Sequence, residues 1–443
     1  MTAAPAISLP PGSRLPRSVQ GLLYLSGRRR MMRRSRRRFG PVFTLNLPVI
    51  GPSVFVGDPV LARQVFAAGP SVAGKAEPNL GALLGPGSLF SLDDDPHRRR
   101  RRLLSPLFHG TRMREYEALI ERAYADEAAT WPENIEFPIL PATIRITLDT
   151  ILRAVFGADG AELAALRRLM PTLGAIGSRL ATGRAIGFGR GRSARTRLDE
   201  HRSEYDALIA KLINRALADP RLSDRGDILA LLLRNHYEDG KTLSHRDIAD
   251  ELATLLTAGN ETSANTLAWT LERLRRHPEA LARLVDDLNA GNDEVLQHTI
   301  WEVQRVRPVI GTVSRQVKAP SLQLGEWVIA RGHRIIVSIA LIHGDETVYP
   351  DPDVFDPDRF RGRRPDPLSW LPYGGGNRRC LGSDFADTEL KVILRSLLRD
   401  FELLPTTATG ERMRDRGIAY MPGKGGRVAL RRRQVSRERD TAR

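Results

Sequence analysis

Cys380 is the only cysteine among the 443 residues, and its neighbours restrict the chemistry of its thiol. The stretch PYGGGNRRCLG places three glycines and two arginines directly upstream, and the helical pattern LGSDFADTELKVILRSLL follows. At a helix N-terminus, backbone N–H groups, the helix dipole and adjacent cations favour the thiolate over the thiol. Because a single cysteine forms no internal disulfide, metal ligation and catalysis are the roles open to it.

Three kinds of site could use such a stretch. A phosphate cradle would need a Lys-Ser/Thr pair after the glycines, and the spacing fits neither the P-loop nor the dinucleotide fingerprint. A nucleophilic cysteine would need a histidine partner, and no motif places any of the nine histidines. One thiolate cannot complete a structural zinc site, but it can be the axial ligand of a haem iron. The glycines would then let the backbone approach the flat macrocycle closely.

The spacing around the cysteine resembles that of a known family. Tyr373, Gly376, Arg378, Cys380 and Gly382 match the cysteine loop of the haem-thiolate monooxygenases, the cytochromes P-450, with tyrosine where phenylalanine is usual. The resemblance implies that haem b is the cofactor and that Cys380 is the axial ligand of its iron. It also implies that the other four residues of the motif contact the haem.

A long helix is predicted at 244–277. Ser244 suits the N-cap position, Asp247 follows three residues later, and the segment contains no proline. At about 1.5 Å per residue the helix is roughly 50 Å long. Its middle, ATLLTAGNETSANTLAW, contains polar residues and a glycine where a buried helix should be apolar. Taken alone, these residues are consistent with a solvent-facing Glu261 and a close helix crossing at Gly259.

The resemblance changes the interpretation of this helix. AGNETS, residues 258–263, is similar to the oxygen-binding stretch of the family, which implies that Ala258 and Gly259 face the haem. Thr262 and Glu261 would then be the alcohol and the acid that deliver protons to bound dioxygen. A hydroxyl facing the iron and a carboxylate reaching towards solvent suit a proton relay.

A buried ion network is also implied. WEVQRVRP places Glu302 and Arg305 one helical turn apart, and FDPDRF contains Arg359. By itself, an i, i+3 pair of this kind is most often a surface salt bridge. The resemblance to the Glu-x-x-Arg motif of the family implies instead that the three residues are buried together and hold the loop at 351–372, which positions the cysteine loop.

Cations are expected at the haem propionates. The run HRRRRR at 97–102 resembles the His-x-x-x-Arg segment of the family, which implies that His97 and Arg101 bind the propionates. Arg315 matches a further propionate-binding arginine. The other four arginines of the run are expected to face the proximal surface, where the family docks acidic iron–sulfur proteins.

The charge balance leaves a second basic cluster to explain. The chain has 68 Lys+Arg and 52 Asp+Glu, a net charge of +16, and GRRRMMRRSRRR occupies 27–38. A solvated face is one interpretation, and docking of residues 28–38 to nucleic acid or anionic lipid is the other. No run of 18 uncharged apolar residues predicts a membrane-spanning helix, and the N-terminus lacks a secretory pattern. We therefore expect a cytoplasmic protein.

The hydrophobic patterns position these motifs. A hairpin followed by a helix is predicted at 41–66, almost continuous helix at 96–300, and short strands at 310–340. The fold class is mainly α with a small β region, and the resemblance implies a triangular helical prism around a buried haem. The expected organisation is a basic N-terminal lead at 1–40, a single domain at 41–431 and a polar C-terminal tail at 432–443.

The resemblance implies an enzyme that inserts one oxygen atom from O₂ into a hydrophobic organic substrate. Electrons would come from NAD(P)H through separate partners, a ferredoxin and its reductase. We expect a monomer that binds no nucleic acid. The alternatives are a haem carrier or sensor that activates no oxygen, and a basic protein that binds nucleic acid or a membrane surface.

The substrate pocket is predicted by family analogy from small and apolar residues. Segment 171–200 is expected to form its roof. The residues predicted to line it are Leu83, Leu89, Leu255, Val309, Ile310 and Val313.

Overall fold

The computed structural model describes residues 6–48, 50–77, 79–157, 160–181 and 190–434. Helices form most of these residues and short strands a smaller part, which confirms the predicted fold class. The helices are α1 (Arg17–Phe39), α2 (Pro59–Ala67), α3 (Gly81–Leu84), α4 (Asp94–Leu104), α5 (Arg112–Ala128), α6 (Leu140–Phe156), α7 (Ala161–Ala181), α8 (Arg190–Leu217), α9 (Ile228–Arg234), α10 (His245–Leu274), α11 (Pro278–Asn289), α12 (Glu294–Val306), α13 (Ile339–Ile342) and α14 (Ser383–Asp400). The strands are β1 (Val42–Leu47), β2 (Gly51–Val56), β3 (Ala73–Gly74), β4 (Phe137–Pro138), β5 (Val313–Val317), β6 (Ser321–Leu324), β7 (Trp327–Ala330), β8 (Arg334–Val337), β9 (Phe401–Leu403), β10 (Met413–Arg416), β11 (Ala419–Pro422), β12 (Arg427–Val428) and β13 (Leu430–Arg432).

The largest sheet has five strands in the order β1-β2-β8-β5-β3. The hairpin β1–β2 forms where the sequence predicted it, with Val42 opposite Val56 and Leu47 opposite Gly51. β8 runs parallel to β2 and antiparallel to β5, so it joins the N-terminal hairpin to the C-terminal half of the chain. The remaining strands form two-stranded pairs.

The long helix α10 begins as predicted. The Ser244 hydroxyl accepts from the backbone N–H of Asp247 at 3.0 Å and donates to its carboxylate at 2.7 Å. The helix ends at Leu274, three residues earlier than the sequence indicated. Pro278 opens α11 and disfavours helical backbone at His277, whose φ and ψ are −130° and 71°. At about 1.5 Å per residue, the 30 residues of α10 span about 45 Å.

Helix α6 crosses the middle of α10 through buried threonines. The hydroxyl of Thr143 donates to the Ala264 carbonyl at 3.0 Å, and that of Thr147 donates to the Asn260 side chain at 2.8 Å. A Cβ at Gly259 would lie 3.6 Å from Ile151, an ordinary contact distance. The crossing therefore does not require glycine at position 259.

The segment ahead of the hairpin packs on the sheet region. Ser8 bridges to Val328 and Gly12 to Thr44, while Met32 of α1 packs in a cluster with residues of β1 and β2. Parts of several predicted segments lie outside the described residues. They include 1–5 of the expected N-terminal lead, 182–189 of the expected roof and 435–443 of the expected tail.

Candidate active site

The cysteine loop is folded back on itself and packed on α2. The backbone N–H of Cys380 donates to the Tyr373 carbonyl at 2.9 Å. Gly374 and Gly376 have φ values of 67° and 68°, in the left-handed region that favours glycine. A Cβ on Gly376 would lie 2.3 Å from the Phe66 carbonyl oxygen of α2. Gly376 is thus required by both backbone conformation and close packing, and Gly374 by backbone conformation.

The Cys380 thiol is both accessible and closely surrounded by protein. Its surface is accessible to solvent, yet enough protein surrounds it that burial raises the thiol pKa. The backbone N–H of Gly382 and the guanidinium groups of Arg379 and Arg101 act in the opposite direction and favour the thiolate. Among the described residues no group of three or more His, Cys, Asp or Glu could hold a metal ion. The donor set is therefore a single thiol, which suits an iron that receives its other ligands from a macrocycle.

Cations and a histidine converge beside this loop. His97 and Arg101 lie one turn apart on α4, Arg315 lies on β5, and Arg378 ends the short 3-10 turn at Gly376–Arg378. Burial, with the positive charges of Arg378 and Arg101, lowers the pKa of His97 to about 4. Burial and Arg378 lower the pKa of Arg315 to about 10. At neutral pH the cluster therefore contains a neutral imidazole and three guanidinium ions.

The cations of this cluster outnumber the carboxylates that pair with them. Arg378 donates to the Asp93 carboxylate at 2.9 Å, and Lys318 pairs with the same carboxylate. Burial opposes ionisation of Asp93, but these hydrogen bonds hold its pKa below the ordinary range. Within the described part of the chain, neither Arg101 nor Arg315 has an ion-pair partner. Because buried charge is costly without a partner, the cluster fits a dianionic group such as the two haem propionates.

The predicted role of one arginine in the 97–102 run is wrong. Arg100 does not face the surface, because it is 3% exposed and pairs with Glu251 of α10 at 3.0 Å. Its Nε also donates to the Tyr237 hydroxyl at 2.8 Å. Arg98 and Arg102 are exposed, as predicted. A surface depression beside α4 is lined by Arg98, Arg101, Arg102, Ser105, Pro106 and His109.

The centre of α10 contains the predicted acid and alcohol. Ala258 is exposed although most of the helix is buried, so this point of α10 borders open space. The Thr262 hydroxyl donates to the Ala258 carbonyl at 2.8 Å. Glu261 is half-buried, with its carboxylate oxygen 3.7 Å from a Cβ placed on Gly174 of α7. Burial raises its pKa, and Arg416 opposes that shift. The carboxylate thus lies against α7 rather than reaching freely into solvent.

Glu302, Arg305 and Arg359 are brought together as the sequence analysis expected. Arg305 donates to the two oxygens of Glu302 at 2.7 and 2.6 Å, and neither side chain is exposed. The Nε of Arg359 lies 3.6 Å from the same carboxylate. Two guanidinium groups therefore face one buried carboxylate.

This network attaches the loop at 351–372 to α12. Arg305 donates to the carbonyls of Pro352 at 2.8 Å and Val354 at 3.0 Å. The Asp356 N–H donates to Glu302 at 3.0 Å. Since this loop leads directly into PYGGGNRRCLG, its attachment determines where the cysteine loop begins.

The tyrosine of the cysteine loop has polar partners that the sequence analysis missed. Its hydroxyl donates to Asp387 of α14 at 2.5 Å and accepts from Gln304 of α12 at 2.9 Å. Burial raises the pKa of Asp387 to about 6. The sequence signal for these polar partners was the tyrosine in place of the usual phenylalanine, because a buried hydroxyl requires hydrogen-bond partners.

A second buried acid lies on the far side of α14. Glu389 is fully buried, and burial raises its pKa to about 8. The nearby Ser263 hydroxyl of α10 acts in the opposite direction. This residue also escaped the sequence analysis, because it interrupts an apolar face without belonging to any motif we recognised.

The predicted pocket residues are all half-buried but belong to different clusters. Leu89 and Leu255 pack against the helical core, whereas Val313 packs against the sheet core. Val309 packs beside Trp269 in a separate cluster. The structure therefore brings Leu89 and Leu255 to the same core and does not bring Val309 or Val313 to it. The half-buried set is Leu83, Leu89, Leu255, Val309, Ile310 and Val313.

The mainly helical fold and the accessible thiol beside a cluster of cations fit the class of oxidoreductases whose haem iron takes a cysteine thiolate ligand. The family model described as cytochrome P-450 matches residues 9–428. The chain belongs to the cytochrome P-450 family, and it is a monooxygenase with a haem iron cofactor. No helix among the described residues is long and apolar enough to cross a membrane.

Curated relatives agree with this assignment, and solved structures share the fold. The chain is 52% identical to a Mycobacterium tuberculosis protein provisionally named cytochrome P-450 138, over 98% of this chain and 99% of that protein. It is 41% identical to the protein of the same organism provisionally named cytochrome P-450 135B1, over 97% and 93%. The fold matches retinoic acid-bound cyanobacterial CYP120A1 (TM-score 0.84, 23% identity, 97% and 100% coverage). It also matches the haem domain of cytochrome P-450DA (TM-score 0.84, 22% identity, 97% and 98% coverage).

Proposed function

We propose that this monooxygenase inserts one atom of O₂ into a hydrophobic organic substrate and receives electrons from a ferredoxin and its NAD(P)H-dependent reductase in the cytoplasm. The observation that supports this best is an accessible thiol at the end of a glycine-rich loop, beside three guanidinium groups with one nearby carboxylate. When bound, the haem supplies the reductive activation of O₂.

Cys380 would bind the iron through its sulfur. The N–H of Gly382 and the charges of Arg379 and Arg101 stabilise the thiolate against the cost of burial. Arg315 and Arg101 would bind the propionates, with His97 as a neutral hydrogen-bond donor because its pKa is about 4. Such donors fix the orientation of the haem and neutralise its charge.

Glu261 and Thr262 would hold and move the protons. The Thr262 hydrogen now directed at the Ala258 carbonyl can rotate towards the open side of α10, since a hydroxyl turns without moving heavy atoms. Because its pKa is raised, Glu261 releases its proton at a pH closer to neutrality, as a general acid requires. Burial against α7 limits its contact with bulk water.

The exposed arginines of α4 would bind the electron donor. Arg98 and Arg102 are 64% and 61% exposed and border a surface depression on the same helix as His97 and Arg101. An acidic partner would be steered there by charge, at a rate that falls as salt rises. The small apolar residues Leu89 and Leu255 favour a hydrophobic substrate.

The absorption spectrum of the reduced, carbon monoxide-bound protein tests the ligand. A strongly red-shifted Soret band is expected for thiolate ligation, and Cys380→His should abolish the shift. An ordinary Soret band in the wild type would exclude the proposed role of Cys380.

Two rival functions have their own tests. A haem carrier or sensor that activates no oxygen should be unaffected by Thr262→Ala. In a monooxygenase the same substitution should cause the release of peroxide. A screen of hydrophobic compounds for shifts of the oxidised Soret band should then identify substrates, because a substrate that displaces water from the iron changes the spectrum. A protein that only binds nucleic acid or membranes should retain its function in Cys380→Ala.

A further inference from the structure

The second half of α1 presents a row of arginines to solvent. Gly27 breaks the helix with φ −169° and ψ 61°, and a regular helix continues from there to Phe39. Five arginines after the break are exposed and follow i, i+3, i+4, i+7, i+8 spacing, which defines one helical face. They are Arg30, Arg33, Arg34, Arg37 and Arg38.

The opposite face of α1 is fixed to the protein. Arg28 donates to the Tyr420 hydroxyl at 2.8 Å and to Asp415 at 3.1 Å. Arg36 donates to the Leu341 carbonyl at 2.9 Å, and Met32 is 4% exposed. The outward direction of the five arginines is therefore determined by packing on the other side.

Among the residues that the structure describes, the protein itself pairs only one arginine of this row with an acid. Arg33 pairs with Asp353 at 2.7 Å, and both side chains remain largely exposed. Within the described ranges, Arg30, Arg34 and Arg37 have no ion-pair partner. Like charges at i, i+4 destabilise a helix, and α1 contains no Asp or Glu. The row therefore costs stability locally, which is expected if it binds an anionic partner.

Exposed apolar side chains precede the arginines. Leu22 is 69% exposed, and Val19, Leu23 and Leu25 are 39%, 43% and 46% exposed. Val19, Leu22 and Leu23 follow i, i+3, i+4 spacing and so share a face. Nucleic acid offers a phosphate backbone to the arginines but nothing that would bury these leucines. A lipid surface offers anionic headgroups and an apolar interior together.

We propose that α1 docks this protein on an anionic lipid bilayer. The arginines after Gly27 bind lipid phosphates, and the apolar residues before it enter the boundary between headgroups and acyl chains. The helix lies on the surface, since no described helix is long and apolar enough to span a membrane. None of these residues is among those assigned above to the haem pocket.

Vesicle flotation of the haem-loaded protein tests the charged half. Binding is expected to phosphatidylcholine vesicles that contain phosphatidylglycerol and not to phosphatidylcholine alone. Each arginine near an anionic surface contributes about fivefold, so Arg30→Gln/Arg34→Gln/Arg37→Gln should weaken binding roughly 100-fold. The matched control Arg221→Gln/Arg361→Gln/Arg364→Gln removes the same charge from exposed positions elsewhere and should bind nearly as the wild type does.

A second variant tests the apolar half without changing charge. Leu22→Ser/Leu23→Ser should weaken vesicle binding roughly tenfold, because apolar burial adds to the electrostatic attraction. The reduced carbon monoxide spectrum should be unchanged in all variants and reports correct folding.

Three outcomes would overturn the proposal. Equal loss in the control triple variant would mean that net charge alone attracts the protein. Unchanged vesicle binding in Leu22→Ser/Leu23→Ser would mean that the leucines have no role in docking. Binding of a short DNA duplex through α1, without vesicle binding, would assign the surface to nucleic acid instead.

Discussion

Glu302→Gln should strongly destabilise the protein. The substitution keeps the size of the side chain and removes its charge, while Arg305 stays fully buried. Arg305 would then have no anionic partner, and the amide nitrogen of the glutamine would present N–H donors to the N–H donors of Arg305. The Asp356 N–H and the nearby Arg359 would lose their anion as well.

The expected magnitude follows from the burial of the pair. Removing one member of a buried ion pair costs about 3–5 kcal/mol, because an uncompensated charge stays in the interior. Both side chains of this pair are 0% exposed and joined by two short hydrogen bonds, so we expect about 4 kcal/mol. That is between about a quarter and four-fifths of the roughly 5–15 kcal/mol by which domains are stable.

Urea unfolding followed by the thiolate Soret band measures the loss, and limited trypsin digestion locates it. Cleavage should appear first in the loop at 351–372, at the exposed Arg361 or Arg364. The control is Asp353→Asn in the same loop, which breaks the exposed pair with Arg33. Exposed pairs contribute about 0–1 kcal/mol, so this variant should unfold almost as the wild type does.

If Glu302→Gln lowers the free energy of unfolding by as little as Asp353→Asn does, the reasoning is refuted. So would early cleavage outside the loop with 351–372 intact. Either result would mean that Arg305 is satisfied by its backbone carbonyl partners alone and that the carboxylate does not hold the loop.

Three further predictions concern the site. Thr262→Ala should leave the reduced carbon monoxide spectrum unchanged while product formed per NAD(P)H falls and peroxide rises, measured side by side in a reconstituted assay. Arg315→Met should lower the affinity for haem by about tenfold or more in a haem-transfer titration, because a buried cation lost from the propionate site costs at least 1.5 kcal/mol; unchanged affinity would exclude Arg315 from the site. Burial raises the folded-state pKa of Glu389 from 4.5 to about 8, so folded protein holds a proton that unfolded protein releases, and wild-type stability should fall as pH rises through this window. Glu389→Gln should reduce the loss of stability between pH 5 and pH 8 in urea unfolding, although the raised pKa of Asp387 leaves part of it. An equal loss in the variant and the wild type would contradict the prediction.

The cysteine loop and the Glu302–Arg305 pair could be predicted because each is a short motif that resembles one of the family, although the spacing of the pair alone indicates only a surface salt bridge. The left-handed backbone before Cys380 requires glycines, and Glu302 and Arg305 share one turn of α12. Such constraints act within a few residues, so the sequence retains them. The start of α10 was predicted for the same reason, since the Ser244 cap is local.

The partners supplied by distant segments could not be predicted in the same way. Asp93 faces Arg378 across 285 residues of sequence, and only the tertiary fold brings them together. The burial of Arg100 had a local signal that went unused. His97, Arg100 and Leu104 follow i, i+3, i+7 spacing and are all buried, so helical periodicity separates Arg100 from its exposed neighbours.

The parallel pairing of β2 with β8 has a consequence for synthesis of the chain. Val56 pairs with Val337, so about 280 residues must leave the ribosome before the hairpin finds its partner, which takes roughly 14–56 s at about 5–20 residues per second. Until then the edge of β2 keeps unpaired backbone groups and an apolar face, the features of a strand prone to aggregate. Nascent chains should therefore depend on chaperones during this interval. That dependence can end only after strand β8 has been synthesised, and the haem pocket does not determine this time.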